Sequence, residues 1–309
     1  MKNFINLKDI STEDLRKILD DAKKRKSKRK NLNTLEADND RPLKGKLLVQ
    51  MYEKPSSRTR LSFHISINQL AASSVTVKAS ELHLGKGGES LEDTAKILST
   101  YGDGFLLRTD SDKKIEDFSK NLTIPIINLL SPSSHPCQVL SDIFTIEEIK
   151  KKPISKLNIC WVGDCNNVLN SLIAVSIKFK FKLNIGCPKS YRPPKFVMDW
   201  VKKNKGKVNI FNNPEKAAIN ADVVFTDKVF SLNDKVNKEK KIKDFKNYRI
   251  SSKLMKVARP DSIFLHCLPR GDEVSDEVFF GKQSKVWQQA LNRVHVQKSI
   301  LLYSFGKLR

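Results

Sequence analysis

The sequence has little of what marks an exported, disulfide-bonded or metal-binding protein. It contains five cysteines in 309 residues, an odd number, and none of them forms a Cys-x-x-Cys pair. This usage favours a reducing compartment over a disulfide framework or a zinc site. No apolar stretch approaches the length of a membrane span, and the segment Met1 to Asp9 has no long apolar core. We therefore expect a cytoplasmic protein with no membrane partner and no metal site.

A dinucleotide fingerprint is also absent. The segment at 163–167 reads GDCNN, follows an apolar run and opens a helical pattern, as such a fingerprint would. It lacks the Gly-x-Gly-x-x-Gly pattern that lets a backbone approach a pyrophosphate. We therefore expect no dinucleotide cofactor.

Acidic residues are few beside the basic ones: 34 Asp and Glu stand against 57 Lys and Arg, for a formal net charge of +23. Such a balance raises the prospect of binding to nucleic acid or to an anionic membrane surface. The lysines, however, are scattered over helical faces and connections, without the interleaved aromatic residues of a single-strand platform and without a Cys/His finger. We interpret most of them as solvated surface, and keep a non-enzymatic nucleic-acid-associated protein as a distant alternative.

Length and pattern predict two α/β domains. The chain of 309 residues exceeds a typical single domain, and its apolar runs alternate with helical patterns, as in parallel sheets covered by helices on both faces. The best boundary is Lys150 to Pro153, which predicts two doubly wound parallel-sheet domains at 1–149 and 150–309. An amphipathic stretch at about 283–302 is expected to close the chain and pack back on the first domain. The predicted strands are 47–52, 74–79, 104–108, 124–130, 157–162, 183–187, 207–211, 222–226 and 262–266.

Distinctive polar residues follow many of these predicted strands directly. In open parallel sheets ligands bind beyond the carboxyl ends of the strands, where helix N-termini and connecting loops converge. This placement predicts a binding site at that edge of each sheet. The residues are Ser56 to Thr59, Arg108, His135 to Gln138, Asp164 to Asn167, Asp227, and His266 with Cys267.

The segment EKPSSRTRLSF at 53–63 carries the most specific signal. It follows the strand at 47–52 and places Ser56 to Thr59 on the first turn of a predicted helix. The first N–H groups of a helix lack partners and its dipole favours negative charge, while hydroxyls and the Arg58 guanidinium add donors suited to phosphate. An ordinary capped surface helix is the plainer alternative, since serines before helices are common.

This segment closely resembles the carbamoyl-phosphate signature Ser-Thr-Arg-Thr-Arg of the aspartate and ornithine carbamoyltransferases, with Ser57 in place of the usual Thr. The resemblance extends over nearly the whole chain, because further motifs of the family occur in the expected order. It implies carbamoyl phosphate as a substrate and no cofactor. The residues implied to bind carbamoyl phosphate are Ser56, Ser57, Arg58, Thr59, His83, Arg108, His135, Gln138, Cys267, Leu268 and Arg293.

Three of these residues are implied to hold the carbamoyl end. Arg108 and His135 can polarise a carbonyl oxygen that gains negative charge as an amine attacks, and the Gln138 amide oxygen can accept from the carbamoyl NH₂ group. A lone Arg at a strand end is more often part of a surface salt bridge, and a lone His a helix cap. Their occurrence together with the run HPCQ at 135–138 favours the functional interpretation.

The glycine-rich segment at 80–90 is by itself compatible with a flexible loop before a helix. It resembles the family loop that crosses a subunit boundary, in which His83 contacts carbamoyl phosphate bound by another chain. The resemblance therefore implies a homo-oligomer, a trimer with shared active sites.

The second half of the chain implies ornithine as the acceptor. HCLP at 266–269 matches the ornithine enzymes, whereas aspartate carbamoyltransferases have Pro where Cys267 stands. A buried Cys after a strand is usually a small apolar filler, but the resemblance puts Cys267 beside the δ-amine, where with Asp227 it orients and deprotonates the nucleophile. The implied catalytic residues are Cys267, Asp227, Arg108 and His135.

The implied ornithine-binding residues are Asn167, Asp227, Ser231 and Leu232. Leu232 and Asn233 depart from the Met and Gly that follow the corresponding Ser in the family, so a putrescine carbamoyltransferase remains the nearest alternative. The reaction expected with ornithine gives L-citrulline and phosphate and belongs to arginine metabolism.

Overall fold

The computed structural model describes residues 1–78, 88–230 and 237–308. His83 and the segment Ser231 to Asn233 therefore lie outside the described residues. The chain divides into two compact units: the first comprises Met1–Ser141 with Ala290–Arg309, and the second Asp142–Gln289. Each is described by itself below. The division implied by the resemblance, a carbamoyl-phosphate-binding domain at 1–149 and an ornithine-binding domain at 150–309, stays a prediction.

The first unit is built on a parallel sheet. Four described strands pair in the order β2-β1-β3-β4, with Tyr52 in register with Arg108. Its strands are β1 (Leu47–Tyr52), β2 (Ser73–Lys78), β3 (Gly104–Arg108) and β4 (Ile126–Leu130), and its helices are α1 (Thr12–Ser27), α2 (Ser57–Gln69), α3 (Leu91–Tyr101), α4 (Asp112–Asn121) and parts of α5 (Pro136–Lys150) and α12 (Val286–Ser304).

Local sequence explains these elements. Ser11 caps α1, since its side chain accepts a hydrogen bond from the Asp14 N–H. The central strands β1 and β3 are almost entirely buried, as expected of a sheet covered on both faces. Phe105 of β3 packs against Phe118 of α4 with ring centroids 5.1 Å apart, within a cluster of buried apolar side chains.

The second unit contains a larger parallel sheet. Five described strands pair in the order β7-β6-β5-β8-β9, and Asp227 lies in register with Cys267. Its strands are β5 (Asn158–Val162), β6 (Lys182–Gly186), β7 (Val208–Phe211), β8 (Val223–Asp227) and β9 (Ile263–Cys267), and its helices include α6 (Asn167–Phe179), α7 (Lys195–Lys203), α8 (Pro214–Ala218), α9 (Lys238–Phe245), α10 (Ser252–Val257) and α11 (Asp276–Phe279).

Strand order marks where a ligand can bind in each unit. In the first sheet the chain moves outward from β1 to β2 and then returns to the other side with β3 and β4. In the second it moves from β5 through β6 to β7 and returns with β8 and β9. Loops leave in opposite directions at such reversals, which opens a crevice at the carboxyl edge. The reversals lie between β1 and β3 and between β5 and β8.

The predicted α/β class with two parallel sheets and a closing helix is confirmed. The largest difference between predicted and observed strand starts is two residues, at the strand predicted from 124 and observed from Ile126. Among the described residues, no helix combines the length and apolar character that a membrane span requires. In the same part of the chain, no three His, Cys, Asp or Glu side chains are grouped so that they could hold a metal ion.

Candidate active site

The first turn of α2 lies at the reversal point of the first sheet and is suited to an anion. Ser56 occupies the N-cap position but makes no capping bond to the helix backbone; its hydroxyl accepts a hydrogen bond from Arg108 Nη1 at 3.2 Å. The first turn carries no acidic residue. Ser57 is exposed and Arg58 half-buried, so backbone N–H groups, hydroxyls and a guanidinium are presented together to an incoming phosphate.

Arg293 joins this turn to the start of α5. The residue is only 5% exposed. Its Nη2 donates to Thr59 Oγ1 at 2.7 Å, and its Nη1 donates to Gln138 Oε1. Two charge-assisted bonds orient the guanidinium rigidly. A residue of α12 thus reaches two residues that the sequence placed at the carbamoyl-phosphate site.

His135, directly before α5, is buried among these arginines. Burial, and then the positive charges of Arg293, Arg108 and Arg58, hold the pKa of His135 well below its ordinary value. All three guanidiniums therefore act on one imidazole, which is neutral at pH 7. A neutral imidazole can still donate one hydrogen bond to a carbonyl oxygen.

Two neighbouring residues were not singled out by sequence reasoning. Tyr52 ends β1 beside Arg108, and burial raises the pKa of its phenol although nearby arginines oppose the shift. Glu53 accepts hydrogen bonds from Thr109 Oγ1 and Lys114 Nζ. These bonds link the end of β1 to the residues that follow β3. Their position in the sequence could have identified them, because only Lys54 and Pro55 separate these two residues from the run Ser56 to Thr59.

The second group of polar residues lies at the reversal point of the second sheet. Gly163 follows β5 with φ +137°, and a Cβ there would stand 3.1 Å from Thr226 Oγ1, so the turn requires glycine. Asn166 caps α6 by accepting from the backbone N–H groups of Val168 and Leu169. Its Nδ2 also donates to Asp227 Oδ2 at 2.6 Å. The ordinary interpretation of Asn166 as a cap is correct but incomplete.

Asp227 is the titratable group at the end of β8. Burial raises the pKa of its carboxyl to about 6, although His266, the Lys228 N–H and Asn166 favour the charged form. The carboxylate accepts from Lys228 N at 2.7 Å and from Asn166. A carboxylate of this pKa is ionised at pH 7 and still binds a proton more readily than an exposed aspartate.

Cys267 and His266 end the adjacent strand β9. Cys267 is buried and pairs in register with Asp227. His266 Nε2 lies 2.7 Å from Glu273 Oε1, with both side chains buried. Burial opposes ionisation of Glu273, but the hydrogen bond with His266 lowers the pKa of this carboxyl overall. Glu273 is a further residue that sequence reasoning missed.

The predicted site residues therefore form two groups, one in each unit. Two further predicted residues adjoin the second group. Asn167 is the half-buried first residue of α6, and Leu268 directly follows β9. The predicted site residues His83, Ser231 and Leu232 lie outside the described residues.

Two family models match the chain. The model described as aspartate/ornithine carbamoyltransferase, carbamoyl-P binding domain, matches residues 2–148. The model described as aspartate/ornithine carbamoyltransferase, Asp/Orn binding domain, matches residues 155–304. Together they cover both groups of polar residues.

Relatives resemble the chain over its full length. It is 40% identical over 308 residues to the ornithine carbamoyltransferase of Mesorhizobium japonicum, covering 99% of both chains. It is 41% identical over 307 residues to that of Rhodopseudomonas palustris, covering 99% of this chain and 97% of the relative. The solved ornithine carbamoyltransferase of Pyrococcus furiosus superposes with a TM-score of 0.91 at 36% identity, covering 100% of this chain and 98% of the other.

Proposed function

The chain belongs to the aspartate/ornithine carbamoyltransferase family, and we propose that it transfers the carbamoyl group of carbamoyl phosphate to the δ-amine of L-ornithine, giving L-citrulline and phosphate. The family models and the relatives confirm the resemblance that the sequence motifs indicated. One observation carries the proposal beyond family membership: three arginines act on a single neutral histidine beside the uncapped first turn of α2. That arrangement suits a doubly charged phosphate attached to a polarisable carbonyl.

Carbamoyl phosphate binds the first unit in this proposal. Its phosphate takes hydrogen bonds from the first turn of α2, where Ser56, Ser57, Arg58 and Thr59 lie at the positive end of the helix dipole. Neutralised in this way, phosphate is a competent leaving group, so no metal or organic cofactor is required. Binding at a helix N-terminus costs no rearrangement, because the dipole and the N–H groups are already oriented.

The carbonyl oxygen receives the negative charge that develops during attack. Arg108 and His135 donate to it, and the Gln138 amide, oriented by Arg293, accepts from the carbamoyl NH₂ group. His135 is suited to this role because a neutral imidazole is not repelled by the neighbouring guanidiniums. Preorganised donors of this kind typically contribute about 3–4 kcal/mol each to transition-state stabilisation.

In this proposal ornithine binds the second unit through Asn167, whose amide donates to the α-carboxylate, and through Asp227, Ser231 and Leu232. The neutral δ-amine attacks the carbamoyl carbon, and the bond from that carbon to the phosphate oxygen breaks. The amine loses its proton to the Asp227 carboxylate, and Cys267, in register with Asp227, helps to orient the amine. Leu268 contributes to the carbamoyl contacts as well. The raised pKa of Asp227 supports the role of proton acceptor near neutral pH.

The active assembly in this proposal is a homotrimer in which His83 of each subunit completes the site of its neighbour. Exposed apolar side chains of the first unit support an interface between copies. Leu61 of α2 is 61% exposed, Val75 of β2 43%, and Tyr101 of α3 72%. Of the three elements that carry them, α2 packs against β2, and large exposed apolar side chains on packed elements are typical of subunit contacts.

A cytoplasmic location fits the thiols of the chain. None of the five cysteines, all of which lie among the described residues, forms a disulfide, and four of them are buried. Reduced thiols persist in a reducing compartment. We therefore place the reaction among cytoplasmic steps of arginine metabolism.

The test is a citrulline and phosphate assay in which ornithine, putrescine, aspartate and N-acetylornithine are offered in parallel with carbamoyl phosphate. Ornithine is expected to be the preferred acceptor. A higher kcat/KM with putrescine would replace ornithine with the nearest alternative while leaving carbamoyl transfer intact. Release of phosphate without a carbamoylated product in any of the four would contradict the transferase assignment.

A further inference from the structure

A buried lysine lies in the second unit outside the residues assigned to chemistry. Lys241 of α9 is only 1% exposed, and its Nζ lies 2.7 Å from Asp164 Oδ2. Lysine is seldom fully buried unless it is paired. The pair therefore joins α9 to the turn that follows β5.

The surroundings of this ion pair are aromatic. The rings of Tyr191, Phe230 and Phe245 have centroids 5.7, 5.8 and 5.9 Å from Lys241 Nζ. Ring faces attract a cation but solvate it less well than water does. Removing the charge of Asp164 would leave the buried ammonium of Lys241 without this carboxylate, so the pair constrains the position of both partners.

Asp164 lies in the turn after β5 that carries Asn166 and Asn167, and its backbone holds this turn in place. Its backbone carbonyl accepts from Trp161 Nε1 at 3.1 Å and from the Asn166 N–H at 3.1 Å. Asn166 in turn caps α6 and donates to Asp227 at 2.6 Å. A displacement of Asp164 would therefore move Asn167, the first residue of α6, and alter the support of Asp227.

We propose that Lys241 is a positioning residue for the acceptor amino acid, acting through its ion pair with Asp164 on the turn that carries Asn166 and Asn167. The inference rests on the proposed function, because it concerns the binding of ornithine. Lys241 itself touches neither substrate. Its loss should weaken acceptor binding while carbamoyl phosphate, held by the first unit, binds as before.

The experiment compares steady-state kinetics of Lys241→Met, Asp164→Asn and the double variant. Either single change should raise KM for ornithine roughly 10- to 100-fold, the range expected when a supporting residue misplaces a binding group. KM for carbamoyl phosphate should stay within about twofold in both variants. In the double variant, which lacks both charges of the ion pair, the rise should be smaller than the product of the single effects.

Lys243→Met is the matched control, because Lys243 is an exposed lysine on the same helix. It should change neither KM. If circular dichroism shows that Lys241→Met does not fold, the kinetics of Asp164→Asn alone test the inference. Folded variants with unchanged KM for ornithine, or with both KM values raised equally, would overturn the inference while leaving wild-type turnover of ornithine intact. A wild-type enzyme that forms no citrulline would instead overturn the proposed function, and this inference with it.

Discussion

Replacing Asp227 with asparagine should make the protein more stable at neutral pH and nearly inactive. Burial raises the pKa of this carboxyl from its ordinary 3.8 to about 6 in the folded protein. A folded-state pKa above the unfolded one contributes stability that is present below the unfolded value and is lost as the pH rises through the folded value. At pH 7.5 both states are ionised, and a shift of about two units costs roughly 3 kcal/mol.

Asparagine removes this cost but introduces a smaller one. In the wild type, Asp227 accepts from Asn166 Nδ2 at one carboxylate oxygen and from the Lys228 N–H at the other. An asparagine in either orientation would therefore turn its NH₂ group toward one of these donors, at a cost of about 1–2 kcal/mol. The net gain at pH 7.5 is about 1–2 kcal/mol in the free energy of unfolding. Activity should nevertheless fall by about 10²- to 10⁴-fold, because the proton acceptor and the anionic partner of ornithine are both lost.

The assay is urea unfolding of wild type and Asp227→Asn at pH 7.5 and pH 4.5, at one protein concentration. Between these values the advantage of the variant should shrink by about 2 kcal/mol, since native Asp227 is protonated at the lower pH. A difference between the two proteins that does not depend on pH would refute the raised pKa. Equal kcat/KM for ornithine would refute the role of Asp227 in the reaction.

Three further predictions concern the first unit and the charge. Arg58→Ala should weaken carbamoyl-phosphate binding by about 2–5 kcal/mol with the fold intact, and near-normal affinity by calorimetry would contradict the proposed phosphate site. Inactive Arg58→Ala subunits reassembled with inactive His83→Ala subunits should recover activity, since a mixed trimer contains a site with neither change; recovery of none would indicate sites built within one chain. Binding to nucleic acid should be weak, independent of sequence and steeply reduced by salt, whereas tight sequence-selective binding at physiological salt in a mobility-shift assay would favour the distant alternative.

Local pattern was sufficient to predict the nine described strands of the two sheets. The run 47–52 became β1 with the predicted bounds. Buried parallel strands are continuous apolar runs, so their limits are readable without knowledge of their partners. The placement of polar residues after strands also predicted the two edges at which the candidate site residues gather, because ligand position in open sheets follows from strand direction.

Side-chain pairing between distant segments could not be predicted in the same way. Lys241 meets Asp164 across 77 positions of the chain, and in the sequence it is one lysine among many. Asn166 could be recognised as a cap from its neighbours, but its bond to Asp227 depends on β5 and β8 being adjacent. The lowered pKa of His135 likewise depends on its burial and on three arginines from separate segments, neither of which can be read from its neighbours in the sequence.

The most direct test of the central claim is the ratio of kcat/KM for ornithine to that for putrescine, measured in the wild type and in Asn167→Ala. Putrescine lacks the α-carboxylate to which the Asn167 amide is proposed to donate. Each good polar contact is worth about tenfold, or 1.4 kcal/mol, so the wild type should prefer ornithine by at least about tenfold and the variant should lose most of that preference. A wild type that uses putrescine equally well or better, or a ratio that Asn167→Ala leaves unchanged, would contradict the assignment of ornithine as the acceptor.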